Sequence, residues 1–105
     1  MSELKNMEMK ELKKELFAAV NYEDDVTVAV KIFESEDDEG VYDVEVNWYQ
    51  DGDHQDTWVT DSFDDASPTD NLKAAKKRAA AVKRSVVNWF AMYDEVTVEP
   101  TVEIY

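Results

Sequence analysis

Hydrophobic residues recur along this chain at two different spacings, and each spacing predicts one kind of secondary structure. Helical spacing over residues 3–20 places an apolar stripe on one side, with Lys and Glu elsewhere. Residues 71–90 form a second such stretch, in which an apolar arc of about 100° lies opposite Lys73, Lys77 and Arg84. Thr69 or Asp70 is its predicted N-cap. The two stripes consist of Met9, Leu12, Leu16, Ala19 and Val20, and of Leu72, Ala75, Ala79, Val82, Val86, Trp89 and Phe90.

Strict alternation of apolar and polar residues predicts two strands, at residues 24–34 and 41–50. The intervening segment SEDDEG ends in Gly40 and predicts a hairpin turn. The residues predicted to face the core are Val26, Val28, Val30 and Ile32 in the first strand and Tyr42, Val44, Val46 and Trp48 in the second.

The remaining strands are less regular. The segment DGDHQ at residues 51–55 predicts a second tight connection, followed by a third strand at residues 56–63. Its alternation is poor, so either Trp58 or Val59 could face the core. Alternation returns at residues 95–105, where Pro100 favours an edge or bulged strand.

The resulting order of elements is α-β-β-β-α-β. A chain of 105 residues is expected to form a single domain, residues 1–105, around one modest core. The predicted fold class is α+β, an antiparallel sheet with two helices packed on one face, because this arrangement buries every apolar stripe.

Charge changes this picture, because the net charge of −14 is unevenly distributed. Residues 21–70 hold seventeen acids and one base, whereas residues 71–92 hold six bases and no acid. The absence of Cys fits a reducing compartment, and the charged N-terminal residues do not resemble a signal peptide. No uncharged stretch approaches the roughly 20 residues that span a bilayer. We therefore expect a cytoplasmic protein that does not interact with membranes.

Candidate catalytic chemistry is sparse. His54 is the single His; it could act as a general base with Ser62 or Thr57, but a polar hairpin tip explains it better. One His without Cys excludes the usual zinc ligand sets, and no segment has the spacing of a calcium loop. The sequence predicts a protein that is not an enzyme and has no catalytic residues, metal site or cofactor.

The basic segment 71–92 has two interpretations. It could balance the charge of an acidic sheet on which it packs, with long basic side chains reaching strand carboxylates. Alternatively it could bind nucleic acid, since the order α-β-β-β-α with Lys76 and Lys77 resembles the double-stranded-RNA-binding domain. That family also uses its first hairpin loop to contact RNA. Here this loop is SEDDEG, which would repel phosphates, so charge balance is the favoured interpretation.

The acids that line the second and third strands and their ends are expected to point outward, and they suggest a function. Alternate strand positions repeat at about 6.6 Å, which is close to the spacing of phosphates along one DNA strand. In size, charge and element order the chain is similar to small acidic phage-encoded inhibitors that mimic DNA, of the anti-CRISPR and anti-restriction type. This resemblance implies a basic nucleic-acid-binding partner, such as a nuclease, without direct binding of nucleic acid. The predicted partner-binding residues are Asp43, Glu45, Tyr49, Asp51, Asp53, Asp56, Asp61, Asp64 and Asp65. The alternative is an accessory interaction module whose acidity serves solubility.

Overall fold

The computed structural model describes the backbone of residues 2–20 and 23–104, and the side chains of these residues apart from 2–8, 102 and 104. Two helices and five strands form an α+β fold, as predicted. In chain order the elements are α1 (Ser2–Ala19), β1 (Val26–Glu34), β2 (Tyr42–Gln50), β3 (Asp53–Phe63), α2 (Pro68–Trp89), β4 (Val96–Val98) and β5 (Val102–Ile104).

The sheet is mixed, which corrects the prediction of a purely antiparallel sheet. β1, β2 and β3 form an antiparallel meander, whereas β4 and β5 both pair with β1 in parallel. The long helix α2 explains this. Its 22 residues span about 33 Å. It therefore returns the chain to the end of the sheet where β3 began, and the next strand has to run parallel to β3 and β1.

The C-terminal segment is divided between two short strands. β4 pairs with Val26–Val28 and β5 with Lys31–Phe33, so Pro100 lies between them at the sheet edge. This position suits a residue that has no N–H to donate to a strand ladder.

β3 differs from its prediction in where it begins and in how its side chains alternate. It begins at Asp53, so the connection to β2 is only the Asp51–Gly52 turn, and His54 lies within the strand. Asp51 and Gly52 have φ values of 52° and 86°, as a type I′ hairpin requires at its two central positions. The register with β2 also shifts twice. These bulges explain the irregular alternation and turn Trp58 toward the core, leaving Val59 exposed.

The start of α2 is fixed by residues earlier than predicted. Ser67 is the N-cap: its Oγ accepts a hydrogen bond from the Asp70 N–H at 3.2 Å, and Pro68 occupies the first turn. The buried Asn71 amide donates to the Gly40 carbonyl at 2.9 Å, so the hairpin between β1 and β2 is held to this helix end. A Cβ at Gly40 would lie 2.6 Å from the Pro68 ring, which explains the need for glycine there.

Both helices cover one face of the sheet and share a single core with it. Leu12 and Leu16 of α1 are buried, as are the inward residues predicted for β1 and β2. Trp48 is buried as expected, whereas Trp89 is only half-buried, because it lies beside Lys13 at the margin between the helices. The predicted stripe of α2 otherwise faces the core, with Ala75, Ala79, Val82, Val86 and Phe90 buried and Leu72 packed at the edge.

A carboxylate ties α1 to the sheet. Oε2 of the half-buried Glu15 accepts hydrogen bonds from the indole N–H groups of Trp48, at 2.8 Å, and of Trp58, at 2.7 Å. Both indoles thereby satisfy their donors inside the apolar layer. Glu15 thus fixes α1 over β2 and β3.

Candidate partner-binding surface

Charge is separated between two parts of the molecule. The helical layer, α1 and α2, holds ten Lys or Arg and five Asp or Glu, a net charge of +5. The sheet side, which comprises the strands and all connecting segments, holds Lys31 and twenty acids, a net charge of −19. Such a separation produces a strongly one-sided field.

The face of the sheet opposite the helices, here called the outer sheet face, carries a row of side chains along β2. Alternation places Asp43, Glu45, Asn47 and Tyr49 on this face, because the intervening residues of β2 point into the core. Successive members of the row are about 6.6 Å apart. Three predicted partner-binding residues, Asp43, Glu45 and Tyr49, therefore lie in one line.

Asn47 is the centre of a hydrogen-bond network on this face, and it is only 7% exposed. Its side chain hydrogen-bonds Glu45. Its Oδ1 lies 2.5 Å from the Thr57 hydroxyl and 3.1 Å from His54 Nε2. The His54 ring also meets the Tyr49 ring edge to face, with centroids 5.3 Å apart.

This network holds His54 and Thr57 together on the outer sheet face. Because Glu45 is an acceptor, Asn47 turns its amide N–H to Glu45 and its oxygen to the other two residues. The Thr57 hydroxyl donates to that oxygen, and His54 Nε2 lies 2.9 Å from the Thr57 oxygen. These contacts order the surface around His54.

The electrostatic setting of Glu45 is unfavourable for its charge. Partial burial, followed by the neighbouring charge of Asp43, raises the pKa of Glu45, and the opposing effects of Lys31 and Asn47 do not cancel this. Lys31 is the direct neighbour of Glu45 across the β1–β2 pair.

A second group of acids lies at the turn between β2 and β3. The Asp25 N–H donates to Asp51 Oδ1 at 2.9 Å, which lowers the pKa of Asp51. A side-chain hydrogen bond with Asp24, partial desolvation and the charges of Asp24 and Asp25 outweigh this bond and raise the pKa of Asp51. Asp53, the first residue of β3, is exposed next to this group.

The remaining predicted acids do not lie on the outer sheet face. Asp56 and Asp61 are paired with Trp48 and Val44, which face the core, so the expectation that they point outward is wrong. The Asp61 side chain is 7% exposed, and its Oδ2 lies 2.5 Å from Arg78 Nε of α2. The bulge at Thr60 changes the side to which β3 residues point.

Asp64 and Asp65 are exposed in the connection from β3 to α2, at the opposite end of the sheet from Asp51. The exposed acids of the β1–β2 hairpin, residues 36–39, lie at that same end. Each end of the outer sheet face is thus bordered by carboxylates.

The charge-balance interpretation of the basic helix is confirmed for two of its six bases. Arg78 pairs with Asp61, and Lys76 Nζ lies 3.7 Å from Glu103 Oε1. Among the residues that the structure describes, Lys73, Lys77, Lys83 and Arg84 form no ion pair with an acid. These four bases therefore need another explanation.

Sequence reasoning missed Asn47, named Thr57 only as a possible catalytic partner of His54, and placed His54 at a hairpin tip. A signal was present for Asn47, since it occupies an outward position in a strand between Glu45 and Tyr49. The contact of Asn47 with His54 and Thr57 depends on the register shift of β3 against Trp48 and Tyr49 of β2. The sequence pattern does not predict where that shift occurs.

No protein-family model, curated protein or solved structure matches this chain. Within the described ranges, no group of His, Cys, Asp or Glu side chains could hold a metal ion. Neither α1 nor α2, as far as their residues are described, is long and apolar enough to cross a membrane.

Proposed function

We propose that this protein is a small acidic binding protein that inhibits a basic, nucleic-acid-handling partner by mimicking the charge of DNA. The observation that carries this proposal is the separation of a −19 sheet side from a +5 helical layer. An acidity that served solubility alone would not need to exclude bases from one side of the molecule.

The local electrostatics support the same conclusion. Partial burial and then the charge of Asp43 raise the pKa of Glu45, and a hydrogen bond with Asp24, desolvation and the charges of Asp24 and Asp25 together raise the pKa of Asp51. Ionisation of both residues at neutral pH therefore disfavours the folded state. Residues that lower stability at an exposed surface are typical of functional sites. We infer that the row on β2 keeps its acids because their negative electrostatic field attracts a basic partner.

Binding would proceed in two stages. The field of the sheet side steers a basic cleft toward the outer sheet face and raises the association rate. Asp43 and Glu45 then occupy positions that two successive phosphates of a DNA strand would take. Tyr49, held edge to face against His54, provides a rigid aromatic anchor beside them.

The proposal is tested by competition. Proteins recovered from a bacterial lysate on the immobilised chain at low salt are purified, and each is titrated with this protein and a short fluorescent DNA duplex. We expect the protein to displace the duplex, and its affinity to fall steeply as salt is added. A partner that binds the duplex and this protein simultaneously, without salt dependence, would exclude DNA mimicry. The accessory interaction module would then be the remaining function.

A pair of charge-matched variants separates the site from net charge. Asp43→Asn with Glu45→Gln removes two negative charges from the outer sheet face. Ala18→Lys with Ala91→Lys makes the same change in net charge at exposed positions in or just after the helices. The first variant should weaken binding at least tenfold, mainly through slower association, while the second should change it less than twofold. Equal losses would mean that net charge alone drives binding.

A further inference from the structure

A groove of about 420 Å³ lies beside the C-terminal half of α2, between the helix and the segment that joins β4 to β5. The helix residues of its wall follow the i, i+3, i+4, i+7 spacing of a single stripe. The lining residues are Ala80, Lys83, Arg84, Val87, Asn88 and Thr101.

The polar groups of this groove are suited to an anion. The Lys83 ammonium and the Arg84 guanidinium only donate hydrogen bonds, and the Asn88 amide and the Thr101 hydroxyl can donate as well. A guanidinium also matches the planar, paired oxygens of a carboxylate or phosphate. The site therefore recognises oxygen acceptors that carry negative charge.

The groove also has an apolar part. Val87 is 43% exposed and is one of few large hydrophobic side chains that the described surface leaves open. It lies along the same wall as Ala80, between the two bases and Asn88 in sequence. A ligand that met only the two bases would leave this apolar wall in water, so the groove fits a ligand with an apolar body.

Although the chain holds 25 acids, Lys83 and Arg84 belong to the four bases of α2 that form no ion pair among the described residues. Arg78 and Lys76 of the same helix each meet a strand carboxylate, whereas Lys83 and Arg84 have no acidic partner among the described residues. Glu99 and Glu103 each lie two residues from Thr101 in sequence; both are exposed, and Glu103 contacts Lys76. Asp43 and Glu45 lie on the opposite face of the sheet from α2, and charges are screened over about 10 Å at 0.1 M salt, so these two acids have little effect in this groove.

We propose that this groove is a binding site for an organic anion, a carboxylate or phosphate group attached to an apolar body. The anionic group pairs with Lys83 and Arg84, and the body packs on Val87 and Ala80. The volume lies within the range of small-molecule sites, about 300–1,000 Å³. The site is separate from the outer sheet face, so its test does not depend on the proposed DNA mimicry.

The experiment uses four probes that separate charge from apolar contact. 1-Naphthyl phosphate and 1-naphthoate carry both features, 1-naphthol lacks the charge, and inorganic phosphate lacks the body. Backbone amide signals of the nitrogen-15-labelled protein are followed during each titration. We expect saturable shifts at residues 80–88 and Thr101 with one or both naphthyl anions, and at least tenfold weaker binding of 1-naphthol and phosphate. The stronger of the two anions identifies the preferred charged group.

Variants on the same helix supply the control. Lys83→Gln with Arg84→Gln should weaken binding at least tenfold, whereas Lys73→Gln with Lys77→Gln, which removes two bases outside the groove, should leave it within twofold. Glu99→Gln should strengthen binding, because it removes an exposed acid two residues from Thr101 in sequence. The proposal is overturned if neither naphthyl anion shifts these signals, if the two double variants lose affinity equally, or if 1-naphthol binds as well as the anions.

Discussion

The face of the sheet that packs on the helices and the outer sheet face treat the same kind of side chain differently. Asp61 points toward the helices and meets Arg78, so its charge is balanced inside the fold. Glu45 points the other way, lies beside Asp43 and has a raised pKa. Acidity alone therefore does not mark a functional surface. The informative acids are those that the fold leaves in repulsive surroundings on a face with few bases.

Loss of the ion pair between Arg78 and Asp61, which joins α2 to the sheet, should destabilise the protein most. Arg78→Met would leave the buried Asp61 carboxylate without its cation, and we expect the free energy of unfolding to fall by about 3 kcal/mol. Urea denaturation measures this loss. Arg78→Met combined with Asp61→Leu replaces the pair by apolar residues and should recover most of the stability. If Arg78→Met costs less than about 1 kcal/mol, helix and sheet are not coupled through this pair.

The next effect concerns Glu15, which holds α1 to the sheet. Glu15→Ala removes the acceptor shared by two indole N–H groups, and we expect a loss of about 2 kcal/mol together with a red shift of tryptophan emission. Glu15→Gln retains an oxygen that can accept both bonds, so it should lose much less. Equal losses in the two variants would show that the charge of Glu15, rather than its acceptor position, stabilises α1.

These contacts show how far the sequence pattern reaches. Helical and alternating spacing predicted both helices, the three meander strands and the buried Trp48. The reason is that a helix or strand that buries one face repeats its apolar residues at the spacing of that element. The pattern did not predict the parallel pairing of β4 and β5, since that depends on how far α2 carries the chain.

The candidate site was predictable only in part, for a related reason. The row Asp43, Glu45 and Tyr49 follows from alternation within a single strand. The inward direction of Asp61 and the contact of His54 with Asn47 depend on bulges in β3. A bulge adds one residue and reverses every later side chain, so residue types alone do not place it.

A smaller effect distinguishes two exposed bases of α2. Lys76→Glu removes the contact with Glu103 and puts two acids close together, so we expect a loss of about 0.5 kcal/mol that disappears in 1 M salt. Lys77→Glu makes the same charge change at a position without such a contact and should cost less. The two variants are compared by thermal unfolding at low and high salt. A larger loss for Lys77→Glu would contradict the charge-balance interpretation.

At the turn between β2 and β3, we expect Asp51→Asn to stabilise the protein at neutral pH. The raised pKa means that the folded state binds a proton more tightly than the unfolded state, so stability falls as pH rises above about 3.8, the ordinary value. Asn can still accept the Asp25 N–H and tolerates the positive φ of a type I′ turn. The melting temperature should therefore rise slightly at pH 7 and match the native protein in strong acid. Asp53→Asn, at an exposed position beside the turn, is the control and should change it less.

The smallest effect on stability is expected at Glu45, and here stability and binding should change in opposite directions. The pKa of Glu45 is raised from its ordinary value of 4.5, so its ionisation disfavours the folded state, and the cost appears as pH rises through that raised pKa. Glu45→Gln keeps an oxygen for the Asn47 amide and removes the charge beside Asp43. We expect a slightly higher melting temperature at pH 7, no difference from the native protein well below pH 4.5, and a lower rate of association with the partner. Melting curves across this pH range and stopped-flow association at two salt concentrations make the measurement.

A variant that gained stability but bound the partner as fast as the native protein would remove Glu45 from the binding surface. A variant that lost stability at pH 7 would mean that Lys31 and Asn47 already compensate its charge, and the contrast with Asp61 would no longer hold.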